Sequence, residues 1–236
     1  MYLKKSGVDI RSRSLVNKKH SLDESVFDNL TPESVYWLGV LYGDGNISSL
    51  EKRKGYNIGL CGHSDDLSHG ESFRSFLKGQ TYPIRLRTDK KAYQIVVSSK
   101  RLYTRLTQLG LYPNKSNTIP FPTWIADDLL PHFVRGLFDT DGCIHVRNRK
   151  RYITKQGTFS IVMNTDFIKF LAESVCRILK MTPRTRHHSP TNHKSSCWSV
   201  EGLSQLKTLY KWLYTEKHLA PGFLARKHDK FSELVN

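Results

Sequence analysis

Apolar residues recur along the chain with two periods, one of about 3.6 residues that is typical of helices and one of two residues that is typical of half-buried strands. In the first half the pattern predicts helices at 32–43, near 70–79 and at 99–110, and strands near 46–50, 56–61, 82–88 and 92–98. In the second half it predicts helices at 131–140, 165–180 and 202–214, and strands near 143–148, 157–163, 182–187 and 197–201. Both halves therefore predict an α+β fold.

The two halves open with the same short pattern. YWLGVLYGDGNI occupies residues 36–47 and HFVRGLFDTDGCI occupies residues 132–144, and the glycines and aspartates of the two copies align in register. Such an internal repeat predicts two similar structural units. The segment LYPNKSNTIPFPTW at 111–124 contains three prolines, which favour an extended connector over a further element. We divide the chain into an N-terminal segment 1–30, a first half 31–112, a linker 113–130 and a second half 131–236.

Small residues form a stripe on each of the two repeated helices. Gly39 and Gly43 are four residues apart and lie on one face of the first helix, and Gly136 and Thr140 occupy the same places in the second. Glycine inside a helix costs about 1 kcal/mol relative to alanine, so its presence needs a reason. A stripe of small residues allows two helix backbones to approach closely, and we expect the two helices to pack against each other.

If these helices are parallel neighbours, Asp44 and Asp141 meet at their C-terminal ends. Two carboxylates at close range resist joint ionisation unless a cation lies between them. Oxygen ligands favour a hard ion, and we predict Mg²⁺ or another divalent cation such as Mn²⁺, with Gly43 and Thr140 as further ligands. The alternative is that each Asp-Gly pair only ends a helix with a turn. A calcium loop starting in DTDG is excluded because its twelfth position is Lys150.

The charge of the chain indicates a polyanionic partner. Its 37 Lys and Arg outweigh 21 Asp and Glu, which leaves a net charge of +16 and a sequence pI near 9.8. Nucleic acid is the partner that this excess favours, and the absence of a long basic amphipathic helix argues against a membrane surface. No apolar stretch is long enough to span a bilayer, and the N-terminus lacks the apolar core of a signal peptide. We expect an intracellular protein, either cytoplasmic or nucleoid-associated, with an organelle as a further option.

The cysteines give no sign of a metal or disulfide framework. The four have no CxxC spacing and read as ordinary small residues: Cys61, Cys143, Cys176 and Cys197. One segment brings His187, His188, His193 and Cys197 close together in sequence, but prolines and serines interrupt it. We interpret it as a polar turn and not as a zinc site.

Arginines two apart recur in the predicted strands, where such residues point to the same face of a sheet. Arginine can bind a guanine edge through two hydrogen bonds or grip a phosphate, and phosphate contacts are the commoner kind. The predicted DNA-binding residues are Arg85, Arg87, Gln94, Arg147, Arg149, Arg184 and Arg186.

WLGVLYGDG at 37–45 and VRGLFDTDG at 134–142 resemble the two LAGLIDADG motifs of single-chain homing endonucleases. The resemblance covers most of the chain. It implies two pseudo-symmetric αββαββα halves, motif helices at their interface, and a curved antiparallel sheet from each half that together form a DNA-binding saddle. It also relates residues 1–30 to the lead-in of bacterial and phage members, where a helix-turn-helix precedes the nuclease.

The resemblance assigns roles to particular residues. The second acidic residue of each motif binds the catalytic metal, which transfers to Asp44 and Asp141. Basic residues near the scissile phosphates transfer to Lys115 and Lys227. A polar residue that orients water transfers to Asn164, with His63 as its weaker counterpart. The earlier acidic position, which usually caps the helix, is Tyr42 in the first motif and Asp139 in the second, and we expect this departure to leave catalysis intact.

The function implied is metal-dependent cleavage of both strands of double-stranded DNA at a long recognition site by a monomer. Two alternatives keep the fold: a maturase that binds intron RNA, and a DNA-binding regulator that no longer cleaves. Retention of both acidic residues and both lysines argues against the regulator.

Overall fold

The computed structural model describes residues 20–50, 55–147, 156–187, 194–215 and 222–236. The proposed helix-turn-helix remnant falls mostly on residues 1–19 and lies outside this part of the chain. Within the described residues, no helix is long and apolar enough to cross a membrane.

The first half follows the order αββαββα. Helix α1 begins at Pro32 after the N-cap Thr31, whose hydroxyl accepts a hydrogen bond from the Ser34 amide while the Ser34 side chain accepts one from the Thr31 amide. The elements of this half are α1 Pro32–Gly43, β1 Gly45–Leu50, β2 Gly55–His63, α2 Leu67–Phe76, β3 Ile84–Arg87, β4 Ala92–Ser98 and α3 Lys100–Gln108.

The second half repeats this order and adds one helix at its end. Its elements are α4 Leu130–Asp141, β5 Gly142–Arg147, β6 Gln156–Asn164, α5 Thr165–Leu179, β7 Thr185–His187, β8 Ser195–Glu201, α6 Leu203–Tyr214 and α7 Ala225–Val235. The two αββαββα halves are confirmed, and the predicted elements recur with shifts of up to three residues.

Two features differ from the sequence prediction. Helix α7 was not predicted, because its buried residues Phe231, Leu234 and Val235 are few among charged neighbours and give a weak periodicity. The proline-rich connector, predicted to be extended, contains a short 3₁₀ turn at Lys115–Asn117. Both segments carry a lysine with a predicted role, Lys115 and Lys227.

Each half contains a four-stranded antiparallel sheet, with the strand orders β1-β2-β4-β3 and β5-β6-β8-β7. Alternate residues of the strands face the helices and are fully buried, among them Ile58 and Ile95 in the first sheet and Phe159 and Trp198 in the second. The opposite face of each sheet, called here its open face, carries polar and charged side chains. The pairing of β1 with β2, β2 with β4, and their counterparts is in unbroken register.

Helices α1 and α4 are in backbone contact at their glycines. A Cβ added to Gly39 would lie 2.2 Å from the Phe133 carbonyl oxygen, and a Cβ added to Gly136 would lie 2.2 Å from the Tyr36 carbonyl oxygen. One turn later, a Cβ on Gly43 would lie 2.0 Å from the Thr140 hydroxyl oxygen. The expected pairing of the two motif helices is confirmed. Because α1 lies against α4 and against α2 of its own half, it is buried almost all round from Ser34 to Tyr42.

Replacing Gly136 with alanine should destabilise the protein, although alanine is the better helix former by about 1 kcal/mol. The added methyl group would meet backbone atoms of α1, which cannot rotate away. We expect the free energy of unfolding in urea to fall by about 2 kcal/mol or more.

Gly59→Ala is the matched control, since the nearest atom to a Cβ there is 3.6 Å away, an ordinary contact. A Gly136→Ala variant as stable as the Gly59→Ala variant would contradict the backbone contact between the helices.

Candidate functional site

The two repeated aspartates lie where the paired helices end. Asp44 is the C-cap of α1, and Asp141 is the last residue of α4. A Cβ on Gly43 would lie 2.7 Å from Asp141 Oδ2, so the carboxylate of one helix lies against the last turn of the other. Both residues keep access to solvent, although the protein packs around part of each side chain. The pairing of α1 with α4 thus brings the two carboxylates to one place.

The surroundings of the two carboxylates disfavour their ionisation. Burial by the protein around them raises the pKa of both, and that of Asp141 reaches about 6 because the charge of Asp44 adds to the effect of burial. The ammonium groups of Lys227 and Lys115 act in the opposite direction on both aspartates. A bound cation would stabilise the ionised pair in the same way.

Two lysines bind the carbonyl groups that the helix ends leave without partners. Lys115 Nζ donates to the carbonyl oxygens of Tyr42 and Gly43, both at 2.7 Å. Lys227 Nζ donates to those of Phe138 at 2.7 Å, Thr140 at 3.2 Å and Gly142 at 2.6 Å. Each ammonium group thereby complements the negative end of a helix dipole. Burial lowers the pKa of both lysines, while the aspartates oppose that shift.

The lysines come from segments that the motif helices hold in place. Tyr42 donates from its hydroxyl to the Leu109 carbonyl at 2.7 Å, shortly before Lys115. Asp139 Oδ2 accepts from the Leu224 amide at 2.9 Å, at the N-terminus of α7 and three residues before Lys227. Tyr42 and Asp139 occupy the same aligned position of the two motifs. The resemblance implies that Asp139 caps its own helix. Its side chain instead accepts a hydrogen bond from the next segment of the chain.

Asp139 also joins the two halves of the molecule. Its Oδ2 accepts a hydrogen bond from the hydroxyl of Tyr36 at 2.8 Å, and that hydroxyl lies 2.6 Å from His69 Nε2. Burial raises the pKa of Asp139 to about 6 and lowers that of His69 to about 4. No sequence pattern indicates Tyr36 or His69, because a single tyrosine or histidine in a helix gives no periodic signal.

A polar cavity of about 80 Å³ lies beside Asp44. Its wall includes a bidentate ion pair between the halves, in which Arg226 donates from Nε and Nη2 to Asp66 at 2.7–3.1 Å. Arg226 directly precedes Lys227, so this pair holds the start of α7 against the first half. Neither Asp66 nor Arg226 was predicted, since no sequence pattern links positions so far apart.

The structure gives Asn164 a structural role. Its Oδ1 accepts from the Phe167 amide at 2.9 Å and caps α5, and its Nδ2 donates to the Ile119 carbonyl at 2.8 Å. His63 at the corresponding end of β2 accepts from the Asp65 amide at 3.3 Å. Both residues end a strand and begin a helical turn, so the water-orienting role that the resemblance assigned to Asn164 has no support in its contacts.

Most of the predicted DNA-binding residues share the open faces. Arg85 is paired with Gln94, and Arg87 with Ala92, so all three predicted residues of the first sheet point the same way. In the second sheet Arg186 is paired with Cys197, and Arg147 ends β5. Arg184 precedes β7 and its carbonyl accepts from the Ser199 amide, while Arg149 lies outside the described residues.

The oxygen atoms at the helix ends suit a hard cation that takes only some of its ligands from the protein. Two carboxylates adjoin, and the Gly43 and Thr140 carbonyls lie next to them, although each already accepts from a lysine. Where the structure describes the chain, no group of three or more His, Cys, Asp or Glu side chains could hold a metal. Mg²⁺ commonly keeps several waters and takes only one or two carboxylates, so the pair fits it. The rejected zinc segment is largely outside the described residues, and Cys197 is buried in β8.

Comparison with known proteins identifies the fold. No protein-family model matches the chain, and no curated protein sequence matches it. Among solved structures, the LAGLIDADG homing endonuclease I-LtrWI bound to target DNA is similar with a TM-score of 0.58 and 13% identity, covering 87% of this chain and 90% of that one. The LAGLIDADG meganuclease I-AabMI bound to uncleaved DNA has a TM-score of 0.59 and 15% identity, covering 87% of this chain and 90% of that one. I-GzeII in complex with its DNA target has a TM-score of 0.59 and 10% identity, covering 87% of this chain and 89% of that one. The chain therefore has the two-domain LAGLIDADG fold.

Replacing Asp66 with asparagine should weaken the contact between the halves in a pH-dependent way. Its hydrogen bonds from Arg226 lower the pKa of Asp66 against the opposing effect of burial. The pair therefore stabilises the fold above the unfolded-state pKa of about 3.9, and that stabilisation is lost as the pH falls through the lower folded-state pKa. At pH 7 we expect the free energy of unfolding to fall by up to about 1 kcal/mol, because Arg226 is half exposed.

Urea denaturation from neutral to acidic pH measures this difference. Asp127→Asn is the control, since it removes an exposed ion pair with Arg177 and should change stability less. A gap between wild type and Asp66→Asn that widens on acidification would contradict the assignment.

Proposed function

We propose that this protein is a LAGLIDADG homing endonuclease that cleaves both strands of a DNA duplex with Asp44 and Asp141. The observation that carries the proposal is the meeting of two repeat-related carboxylates at the ends of helices in backbone contact. A structural turn explains one Asp-Gly pair, but it does not explain two that adjoin with raised pKa values.

Divalent metal completes the proposed site. Asp44 and Asp141 would hold Mg²⁺ or Mn²⁺, with the Gly43 and Thr140 carbonyls as further candidate ligands. When bound, such an ion supplies an activated water and stabilises the leaving oxygen in phosphodiester hydrolysis. The protein would need to supply only a few ligands, because water and the DNA phosphate could contribute the remaining oxygens.

The lysines compensate negative charge on either side of the aspartates. Lys115 is fixed at the end of α1 and Lys227 at the end of α4, each by hydrogen bonds from its ammonium group. A phosphate that approaches the carboxylates meets two positive charges which are already oriented and need no reorganisation. Each motif helix therefore ends with one carboxylate and one lysine bound to its carbonyl groups, which matches the two strands of a duplex.

The open faces would hold the duplex. Their arginines can bind phosphates and guanine edges, and the net charge of +16 favours association with a polyanion. The similarity to I-LtrWI, I-AabMI and I-GzeII, each solved with DNA, supports a duplex as the partner. Since one chain contains both halves of the site, we propose that it acts as a monomer.

Replacing Asp44 or Asp141 with asparagine should abolish double-strand cleavage and leave DNA affinity within a few-fold of wild type. The amide keeps the size of the side chain but removes the charge that holds the metal, and we expect the rate to fall by about 100-fold or more. A randomised duplex library incubated with protein and Mg²⁺, followed by sequencing of the new ends, measures cleavage. Enrichment of bound duplexes without metal measures affinity.

Asp127→Asn is the control, because Asp127 is an exposed carboxylate away from the site. Full cleavage by Asp141→Asn would refute the catalytic assignment. A wild-type protein that binds duplexes without cutting them would instead favour the DNA-binding regulator. One that binds intron RNA and no duplex would favour the maturase.

A further inference from the structure

Side chains of three strands are linked on the open face of the second sheet, at the end away from Asp141. Arg147 ends β5, Thr158 lies on β6, and Glu201 ends β8 opposite Thr158. The Thr158 hydroxyl donates to Glu201 Oε1 at 3.1 Å. Arg147 Nη2 lies 3.5 Å from the same oxygen and 3.4 Å from the Thr158 hydroxyl. The three side chains form a unit that is called here the Arg147–Glu201 unit.

Glu201 stands out on a surface proposed to bind a polyanion. It is the one acidic residue among the described positions of all eight strands. A carboxylate that faces phosphates weakens binding, so general electrostatic attraction does not account for it. Its ion pair with Arg147 contributes little to folding, because both side chains are nearly half exposed. Neither DNA affinity nor stability explains why an acidic residue is placed here.

Base recognition does explain it. A G·C pair presents the N7 and O6 acceptors of guanine next to the N4 donor of cytosine in the major groove. Arg147 can donate two hydrogen bonds to guanine, and a neighbouring carboxylate can accept one from cytosine. Thr158 and Arg147 Nη2 both donate to Oε1 of Glu201, and in the described part of the chain no hydrogen bond to Oε2 is formed. The unit therefore presents donors and an acceptor side by side, which are the two kinds of group that a G·C pair requires.

We propose that Arg147 and Glu201 together read one G·C base pair of the DNA target, with Arg147 on guanine and Glu201 on cytosine. This proposal rests on the proposed function and assigns a specificity-determining pair to it. An A·T pair lacks two adjacent acceptors, so Arg147 would lose one of its hydrogen bonds there. Strand β5 runs outward from Gly142, beside Asp141, and covers about 17 Å to Arg147 at roughly 3.4 Å per residue. The base pair read should lie about five base pairs outside the cleavage region.

Selection of bound duplexes from a randomised library tests the proposal with the intact protein. Wild type should enrich G·C at one outer position of the half-site contacted by the second half. Glu201→Ala should reduce that preference by roughly 5-fold to 100-fold and leave the other positions unchanged. Arg147→Ala should affect the same position, and the double variant should add little, because both residues read one base pair.

Glu173→Ala is the matched control, since it removes the same charge from an exposed position of α5, away from the open face. If Glu201→Ala kept the G·C preference, or if its affinity rose equally for all sequences, the assignment of Arg147 and Glu201 to one base pair would be overturned. A wild-type protein that enriches no duplex would overturn the proposed function itself, so the two failures are distinguishable.

Discussion

Backbone contact between helices α1 and α4 is the constraint on which the site depends. At Gly39 and Gly136 the helices are so close that neither position has room for a Cβ, and this contact aligns their C-terminal ends. The aspartates that follow therefore adjoin, and burial together with the charge of Asp44 raises the pKa of Asp141. A wider helix separation would part the two carboxylates and weaken this shift. The same close packing buries the motif helices between two sheets, which leaves the open faces for a partner.

The two halves reach one geometry with different side chains. In the first half Tyr42 donates to the segment before Lys115, and in the second Asp139 accepts from the segment before Lys227. Each lysine then binds the carbonyl groups at the end of a motif helix. Tyr42 stands where the motif usually has an acidic residue. It makes an equivalent contact as a hydrogen-bond donor, where Asp139 is an acceptor. Further bonds from Tyr36 to Asp139 and from Arg226 to Asp66 cross between the halves, so the site is held by the whole interface.

Periodicity and the internal repeat predict most of the fold, because the strands and helices alternate cleanly and the glycines and aspartates recur in register. The resemblance adds Lys115 and Lys227, which have no signal of their own. Helix α7 escapes prediction because its apolar residues are sparse. His69, Asp66 and Arg226 escape because their partners are distant in sequence. Asn164 caps a helix through its amide, a contact that sequence alone does not indicate, and its transferred water-orienting role stays a prediction.

We propose that Asp44 and Asp141 act together on one cation-binding, DNA-cleaving centre, and anomalous diffraction from crystals of the intact protein grown with Mn²⁺ would show whether they do. We expect manganese within direct ligand distance of both carboxylates, and loss of that signal when either is replaced by asparagine. Manganese bound elsewhere, with both carboxylates without a metal ligand, would contradict it.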